Sequence, residues 1–247
     1  MRLPLLLDDA AVFPPGNLPL AEAVVAHRRH REAWYADLVG PLVVPASALG
    51  TVGDLGGEAP LDVAVVVPDA RAAAATLAEA PDGVRVVALE VTAPDIPGLQ
   101  AALGEPEGVT VYVELPRDEG RDAVIAELTG TSYRAKVRTG GVRADLYPDE
   151  TELAATITAL VAAGVPFKAT AGLHHAARNT DPDTGFEQHG FLNLLAAAVP
   201  GADAAALLAE RDPRRLPLPD HSLFGSFGTC SIAEPVEELA ALEVTAR

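Results

Sequence analysis

Short apolar runs alternate with longer amphipathic stretches along most of the chain. Eight short runs, most of them rich in Val and Leu, predict strands: Leu3–Leu7, Pro41–Pro45, Asp62–Val67, Arg85–Val91, Val109–Leu115, Tyr133–Arg138, Val165–Thr170 and Ser222–Phe227. The stretches between them predict helices over Leu20–Val39, Ala70–Glu79, Ile96–Leu103, Arg117–Leu128, Glu150–Ala163 and Glu234–Leu242, and a flexible loop over Gly50–Gly57. A strand followed by a helix, repeated about eight times, indicates an α/β protein with a parallel sheet. Eight units in 247 residues favour a closed (β/α)8 TIM barrel over an open sheet.

The alternation changes after the seventh predicted strand. Residues 173–221 contain a polar segment from His174 to His189, two helical stretches and a proline-rich return. We interpret this part as an elaborated loop-helix insertion in the seventh βα connection of a single domain spanning residues 1–247. Loops at the C-terminal ends of barrel strands build active sites, so the insertion is either a lid over the site or a surface decoration.

Polar residues interrupt the later strands at every second position. Side chains alternate across a strand, and the apolar set must pack against the helices, so the polar set is expected inside the barrel. That set comprises Glu90, Tyr112, Glu114, Lys136, Arg138, Lys168 and Thr170. Barrel interiors are usually filled by branched apolar side chains, so this much polarity favours a functional site over a structural ion-pair network.

Two lysines, Lys136 and Lys168, stand near the ends of the sixth and seventh predicted strands. Burial of an ammonium group is unfavourable unless something compensates, so lysines in matching places suggest a site that uses an amine. A desolvated or crowded lysine has a lowered pKa and is partly neutral and nucleophilic near pH 7. Such a lysine can form a Schiff base with a carbonyl substrate.

The segments Lys136-Val-Arg-Thr-Gly-Gly and Phe167-Lys168-Ala-Thr-Ala-Gly172 resemble the last third of the deoxyribose-phosphate aldolase family of class I aldolases. The two lysines are 168 − 136 = 32 residues apart, similar to the family spacing, and Phe224-Gly-Ser-Phe-Gly-Thr-Cys-Ser231 resembles its strand-eight turn. The resemblance implies that Lys136 is the nucleophile and that Lys168 depresses its pKa, with Glu90 or Glu114 replacing the family's proton-relay aspartate. It also implies that phosphate would be held by Gly140, Gly141, Gly172, Gly228 and Ser231.

Further polar residues follow two of the predicted strands. Asp8 and Asp9 come directly after the first strand and are equivalent candidates for holding a substrate hydroxyl, unless they only form a turn. His174, His175 and Arg178 follow the seventh strand, where a histidine can act as acid or base and an arginine can bind an anion. The single cysteine, Cys230, excludes an intrachain disulfide and is expected to be a packing residue.

The composition of the chain indicates which classes of partner are expected. A formal net charge of −17 disfavours binding to a phosphate backbone, so nucleic acid is not expected as a partner. No apolar run reaches the roughly 18 residues of a membrane span, and we expect a soluble, cytoplasmic protein without a membrane partner. Apolar residues make up 49% of the chain, which is enough for a sizeable core, and a homo-oligomer remains open.

Three functions are compatible with these features. The first is a class I aldolase-like lyase that makes or breaks carbon–carbon bonds in a small carbonyl or phosphorylated metabolite, without a cofactor or metal. The second is a divalent-metal-dependent isomerase or hydrolase in which Asp8 or Asp9, Glu90, Glu114 and a histidine hold the ion. The sequence lacks a recognised metal-binding spacing, which ranks this second function lower. The third is a barrel that binds an anionic metabolite without turning it over.

Overall fold

Eight parallel strands close into a barrel in the computed structural model, which describes residues 6–57 and 59–244. The barrel strands are β1 (Leu6–Asp9), β2 (Val39–Pro45), β3 (Leu61–Val67), β4 (Val84–Val91), β5 (Thr110–Glu114), β6 (Arg134–Arg138), β7 (Phe167–Thr170) and β10 (Phe224–Thr229). Their order around the barrel is β1-β10-β7-β6-β5-β4-β3-β2, so each strand pairs with its neighbour in the barrel sequence. The predicted (β/α)8 fold is confirmed.

Helices surround the barrel. They are α1 (Leu20–Glu32), α2 (Leu49–Asp54), α3 (Ala70–Ala78), α4 (Ile96–Leu103), α5 (Arg121–Leu128), α6 (Glu150–Ala163), α7 (Phe191–Ala197), α8 (Ala204–Ala209) and α9 (Ala233–Ala241). Aspartate side chains cap the N-termini of α3, α4, α6 and α8 by accepting a backbone N–H of the first turn. Within the described ranges, every helix is too short or too polar to cross a membrane.

The apolar side chains form two separate layers. The larger layer lies between the strands and the helices, where the outward residues of the strands are buried against helix faces. The smaller layer fills one part of the barrel interior with Val43, Ala64, Ala88 and Tyr112. The remaining interior is therefore left to the inward polar residues of β1, β4, β5, β6 and β7.

Several boundaries differ from the sequence-based prediction, including three near the start of the barrel. The helix predicted over Leu20–Val39 ends at Glu32, because a short 3-10 turn over Ala36–Leu38 leads directly into β2. The loop predicted over Gly50–Gly57 contains the short helix α2. Asp8 and Asp9 belong to β1 and do not follow it, while the predicted start of that strand at Leu3 lies outside the described residues.

The insertion after β7 consists of a hairpin and two helices. The hairpin pairs β8 (Asn179–Thr180) with β9 (Glu187–Gln188) in antiparallel orientation. Helix α7 is buried along its whole length, and the ring of Phe191 stacks on Phe227 of β10 with centroids 5.1 Å apart. The helical half of the insertion is thus part of the core, and the hairpin is the part that borders the barrel mouth.

Candidate functional site

A chain of alternating charges occupies the barrel interior. Lys168 Nζ lies 2.5 Å from Asp8 Oδ2 and 2.5 Å from Glu90 Oε1. Lys136 Nζ lies 3.0 Å from the other Glu90 oxygen and 3.1 Å from Glu114 Oε2. Arg138 continues the series with a hydrogen bond of 3.0 Å to Glu114 Oε1. The two lysines therefore converge on one carboxylate, that of Glu90.

Strand register explains this convergence. Lys136 pairs in register with Lys168 on β7 and with Glu114 on β5. Parallel strands in register place their inward side chains at one level of the barrel, so the ammonium and carboxylate groups meet there. Ser226 of β10 completes the series at its other end by donating its hydroxyl to Asp8 Oδ2 over 3.0 Å.

Burial and charge pairing set the protonation of this chain. Burial favours a neutral lysine, but the carboxylates of Asp8 and Glu90 outweigh it and raise the pKa of Lys168 above its ordinary value. Burial favours a neutral Glu90, but the two ammonium groups outweigh it and lower the pKa of Glu90 to about 2. Burial raises the pKa of Asp8, although Lys168 partly opposes this. The expectation that a buried lysine here has a lowered pKa is therefore wrong for Lys168.

The two lysines differ in access. An inner cavity of about 270 Å³ lies at the barrel mouth, and its lining includes Lys136, Glu90, Glu114, Arg138, Thr92 and Thr170. Neither Lys168 nor Asp8 is among the described residues that line it. Lys168 is 1% exposed and lies 5.3 Å from the centre of the Tyr112 ring. Lys136 thus borders the cavity, while Lys168 lies outside its lining.

An outer cavity of about 410 Å³ adjoins the inner one beside the β8–β9 hairpin. Pro14, Pro15, Val142, His174 and Cys230 line both cavities. The outer lining adds Tyr147, His175, Asp181, Gln188 and Glu234, so its charged groups are carboxylates and histidines. No arginine or lysine is among the described residues of this outer lining.

The structure separates the two adjacent aspartates of β1. Asp8 faces the barrel interior and contacts Lys168, whereas Asp9 faces outward. Asp9 Oδ2 lies 3.0 Å from Nδ1 of the buried His27 of α1, and its other oxygen accepts the Ala11 N–H. Asp9 therefore anchors helix α1 to the barrel and is not brought to the cavity.

The two histidines after β7 are held by carboxylates of α9. His174 Nδ1 lies 3.0 Å from Glu234 Oε2, and His175 Nδ1 lies 2.6 Å from Glu238 Oε1. Cys230 Sγ is 4.0 Å from both ring nitrogens of His174. His174 lines both cavities, while His175 lines the outer one only.

The structure does not bring Arg178 to either cavity within the described part of the chain. Its guanidinium lies 2.9 Å from Glu150 of α6 and 3.1 Å from Glu187 of β9. This pairing fixes the β8–β9 hairpin against the barrel. Arg178 is therefore a structural residue of the insertion and is not placed to bind a substrate anion.

The glycines and serine expected around a phosphate have different surroundings. Gly141, Gly172 and Gly228 line the inner cavity. Gly140 does not line this cavity. A methyl group at position 140 would lie 2.6 Å from Tyr147 Cε1 and 2.8 Å from Gly172 Cα. Ser231 lies outside both linings, and its hydroxyl accepts the Glu234 N–H over 3.4 Å at the start of α9. Close packing between the chain segments that follow β6 and β7 thus explains why position 140 requires a glycine.

Three residues of the site were missed by sequence reasoning. Ser226 is the inward neighbour of Asp8, Glu234 orients His174, and Cys230 lines both cavities. The alternation Ser226, Gly228 within the last strand was a usable signal for Ser226. Glu234 and Cys230 had none, because their contacts with His174 span about 56 to 60 residues of chain.

The carboxylates of the inner chain already have cationic partners. Asp8, Glu90 and Glu114 each contact a lysine or an arginine. Among residues 6–57 and 59–244, no group of three or more His, Cys, Asp or Glu side chains is arranged to hold a metal ion. The geometry therefore gives no positive support to the metal-dependent alternative.

The distribution of lysine and arginine in the sequence also distinguishes the site. Lys136 and Lys168 are the only lysines among the 18 basic residues, and the other 16 are arginines. Both lysines lie in the buried chain of charges. All remaining basic residues of the sequence are thus arginines, and the compact ammonium group of lysine occurs only in this buried chain of charges.

No family model, curated protein or solved structure matches this chain. The likeness to the deoxyribose-phosphate aldolase family therefore remains a resemblance of short motifs. The site must be interpreted from its own geometry.

Proposed function

We propose that the protein is a class I lyase that makes or breaks a carbon–carbon bond through a Schiff base on Lys136. The supporting observation is the unequal placement of its two lysines. Lys136, although only 3% exposed, is among the residues that line a cavity large enough for a small metabolite, whereas Lys168 is 1% exposed and is not among them. A covalent amine nucleophile needs access to the substrate carbonyl, and Lys136 has it.

The charge arrangement suits an iminium. An iminium carries the same single positive charge as the ammonium that it replaces, so the carboxylates of Glu90 and Glu114 can stabilise both. Glu114 Oε2 has no hydrogen-bond donor among the described residues, although the Lys136 ammonium lies 3.1 Å away. Glu114 is thereby placed to accept the proton that Lys136 loses before it attacks a carbonyl.

Lys168 has a supporting role in this proposal. Its two carboxylate contacts keep it charged, and it holds Glu90 in position beneath the cavity. The ammonium of Lys168 shares the Glu90 carboxylate with Lys136, so one group positions both amines. The use of lysine in a chain otherwise supplied with arginine fits this role, because a guanidinium is bulkier than an ammonium group.

Borohydride trapping tests the proposal. The protein is incubated with pyruvate, hydroxyacetone, glycolaldehyde or glyceraldehyde 3-phosphate, reduced, and analysed by intact mass and peptide mapping. We expect an adduct on Lys136, and the presence of only two lysines makes the assignment simple. Adducts confined to a terminal amine with every probe would contradict the proposal.

Two variants serve as controls for this experiment. Lys136→Met removes the amine and should abolish the adduct, while Lys136→Arg keeps the positive charge and should abolish it as well. Thermal unfolding of each variant establishes that the barrel still folds. An undiminished adduct in folded Lys136→Arg would place the chemistry elsewhere.

A further inference from the structure

We infer that His174, oriented by Glu234, is the acid–base residue that moves the substrate proton in the Schiff-base reaction. The inference rests on the proposed function and assigns a second catalytic residue to the same site. His174 follows β7 and lines the inner cavity together with Lys136. It also lines the outer cavity, so its ring stands where the two cavities meet.

The contact with Glu234 fixes the ring. His174 Nδ1 lies 3.0 Å from Glu234 Oε2. A carboxylate beside Nδ1 favours the tautomer with the proton on that nitrogen, which leaves Nε2 as the proton acceptor. Cys230 Sγ lies 4.0 Å from both ring nitrogens.

The other polar groups of the inner cavity are less suited to carry a proton. Glu90 has a pKa lowered to about 2 because two ammonium groups outweigh the effect of burial, so it remains ionised near neutrality. Glu114 bridges Lys136 and Arg138 and is already placed to accept the proton that Lys136 loses before it attacks, so the substrate proton requires another group. Imidazole is the side chain that ordinarily both accepts and releases a proton near neutral pH. His174 is the histidine of the inner lining in the described part of the chain.

The proposed step is balanced in atoms and charge. In the cleavage direction, the β-hydroxyl of the Lys136 iminium gives its proton to His174 Nε2 as the carbon–carbon bond breaks. The bonding electrons move into the iminium, which becomes a neutral enamine, and an aldehyde leaves. His174 then returns the proton to the enamine carbon, and water hydrolyses the resulting iminium to free the ketone and Lys136. The condensation direction reverses these transfers.

Several charged or titratable groups face His174. Glu234 approaches from α9, Cys230 from the segment after β10, and Asp181 from the β8–β9 hairpin. His175, the next residue, is paired with Glu238.

Exchange of substrate α-protons with solvent tests the inference separately from Schiff-base formation. Wild-type protein and the variants are incubated in D2O with whichever carbonyl probe gives the largest borohydride adduct, and exchange is followed by NMR. We expect His174→Gln to keep the Lys136 adduct and to slow exchange by about 100-fold, a typical contribution of general acid–base catalysis. His221→Gln, an exposed histidine outside both linings, is the matched control and should behave as wild type.

Glu234→Gln distinguishes a positioning role from a merely structural one. It should keep the adduct and slow exchange less than His174→Gln does, and the conservative variant Glu234→Asp, which keeps a carboxylate at this position, should recover part of the wild-type exchange rate. Unchanged exchange in His174→Gln would overturn the inference while leaving the proposed function intact. Loss of the adduct together with exchange would also overturn it, because His174 would then act in binding or folding. Absence of any wild-type adduct would instead overturn the proposed function, and the inference with it.

Discussion

At the scale of single residues, position along the strand was predictable and protonation was not. The alternation of polar and apolar residues correctly placed Glu90, Lys136 and Lys168 inside the barrel. The charge of Lys168 depends on Asp8, which lies 160 residues away in sequence and also 2.5 Å away in space. A sequence of one chain contains no measure of that distance, so the predicted lowering of the lysine pKa failed at Lys168.

Replacement of Lys168 by methionine is expected to destabilise the protein strongly. Asp8 and Glu90 would lose a shared cation in a buried place, and breaking a buried ion pair typically costs about 3–5 kcal/mol. Denaturant unfolding measures the change. The double variant Lys168→Met/Asp8→Asn should recover part of the loss because it leaves one uncompensated carboxylate fewer. A loss below about 1 kcal/mol would show that the pairs are largely hydrated.

A second residue-scale prediction concerns the turn that follows β7. Ala171 has φ of 64° and Gly172 has φ of 74°, a region that disfavours residues with a Cβ. Ala171→Gly should therefore stabilise the protein by up to about 1 kcal/mol, after the greater flexibility of glycine in the unfolded chain is subtracted.

Gly172→Ala is the matched reverse change. Its methyl group would lie 2.8 Å from Tyr147 Cε1 and 2.9 Å from Gly140 Cα, so destabilisation by about 2 kcal/mol or more is expected. Denaturant midpoints of the two variants should move in opposite directions. Equal destabilisation by both would mean that the Ala171 methyl makes contacts worth more than its backbone strain.

At the scale of elements, the sequence predicted helices and strands with a long periodic pattern, but it did not predict very short strands or the place of a fully buried helix. Long strand and helix patterns gave the barrel, because each pattern reports burial of one face. The β8–β9 hairpin has two residues in each strand, too few for any alternation to show. Helix α7 is buried on all sides, so its composition could not reveal which surface it covers. The predicted insertion, for which a lid and a surface decoration were both open, consists of a buried helical part and a hairpin at the mouth.

Shortening the hairpin should open the outer cavity without disturbing the barrel. Thr180 and Glu187 are paired across the hairpin, so residues 181–186 can be replaced by Asn-Gly as a two-residue turn. Asp181, Thr184 and Phe186 would then no longer cover the cavity that Cys230 also lines. We expect the single thiol to react faster with a disulfide reagent.

The same assay reports the charge around Cys230 in the intact protein. Burial first, and then the charge of Glu234, raises the pKa of the Cys230 thiol. Glu234→Gln should therefore speed labelling modestly at pH 8 through a larger thiolate fraction, without removing the hairpin. An unchanged rate in the shortened protein would show that the hairpin does not limit access to the outer cavity.

At the scale of the whole molecule, charge is divided between an acidic exterior and a balanced interior. The formal net charge is −17, yet Asp8, Glu90 and Glu114 are matched inside by Lys136, Lys168 and Arg138. The counts of charged residues in the sequence predicted the acidic exterior. Only the register of the strands established the balanced interior. The interior balance holds only while these carboxylates stay ionised, which links the stability of the whole barrel to pH.

The pH dependence of unfolding should reveal this link through Glu90. Its pKa falls from an ordinary 4.5 to about 2, because the ammonium groups of Lys168 and Lys136 outweigh the opposing effect of burial. A carboxyl group with a depressed folded pKa contributes stability that is present above its unfolded pKa and is lost as pH falls through its folded pKa. The wild-type free energy of unfolding should therefore decline between about pH 4.5 and 2. Glu90→Gln is compared with the wild type by urea unfolding across this window. Its free energy of unfolding should decline less steeply as pH falls, by up to about the slope that the binding of one proton contributes, although it is lower than that of the wild type at pH 7.

The raised pKa of Asp8, caused mainly by burial, affects the pH dependence of unfolding in the opposite sense, so Asp8→Asn should steepen the decline. Parallel curves for all three proteins would mean that Glu90 is not held ionised by the two lysines, and the iminium would lose the stabilising carboxylate on which the proposed chemistry depends.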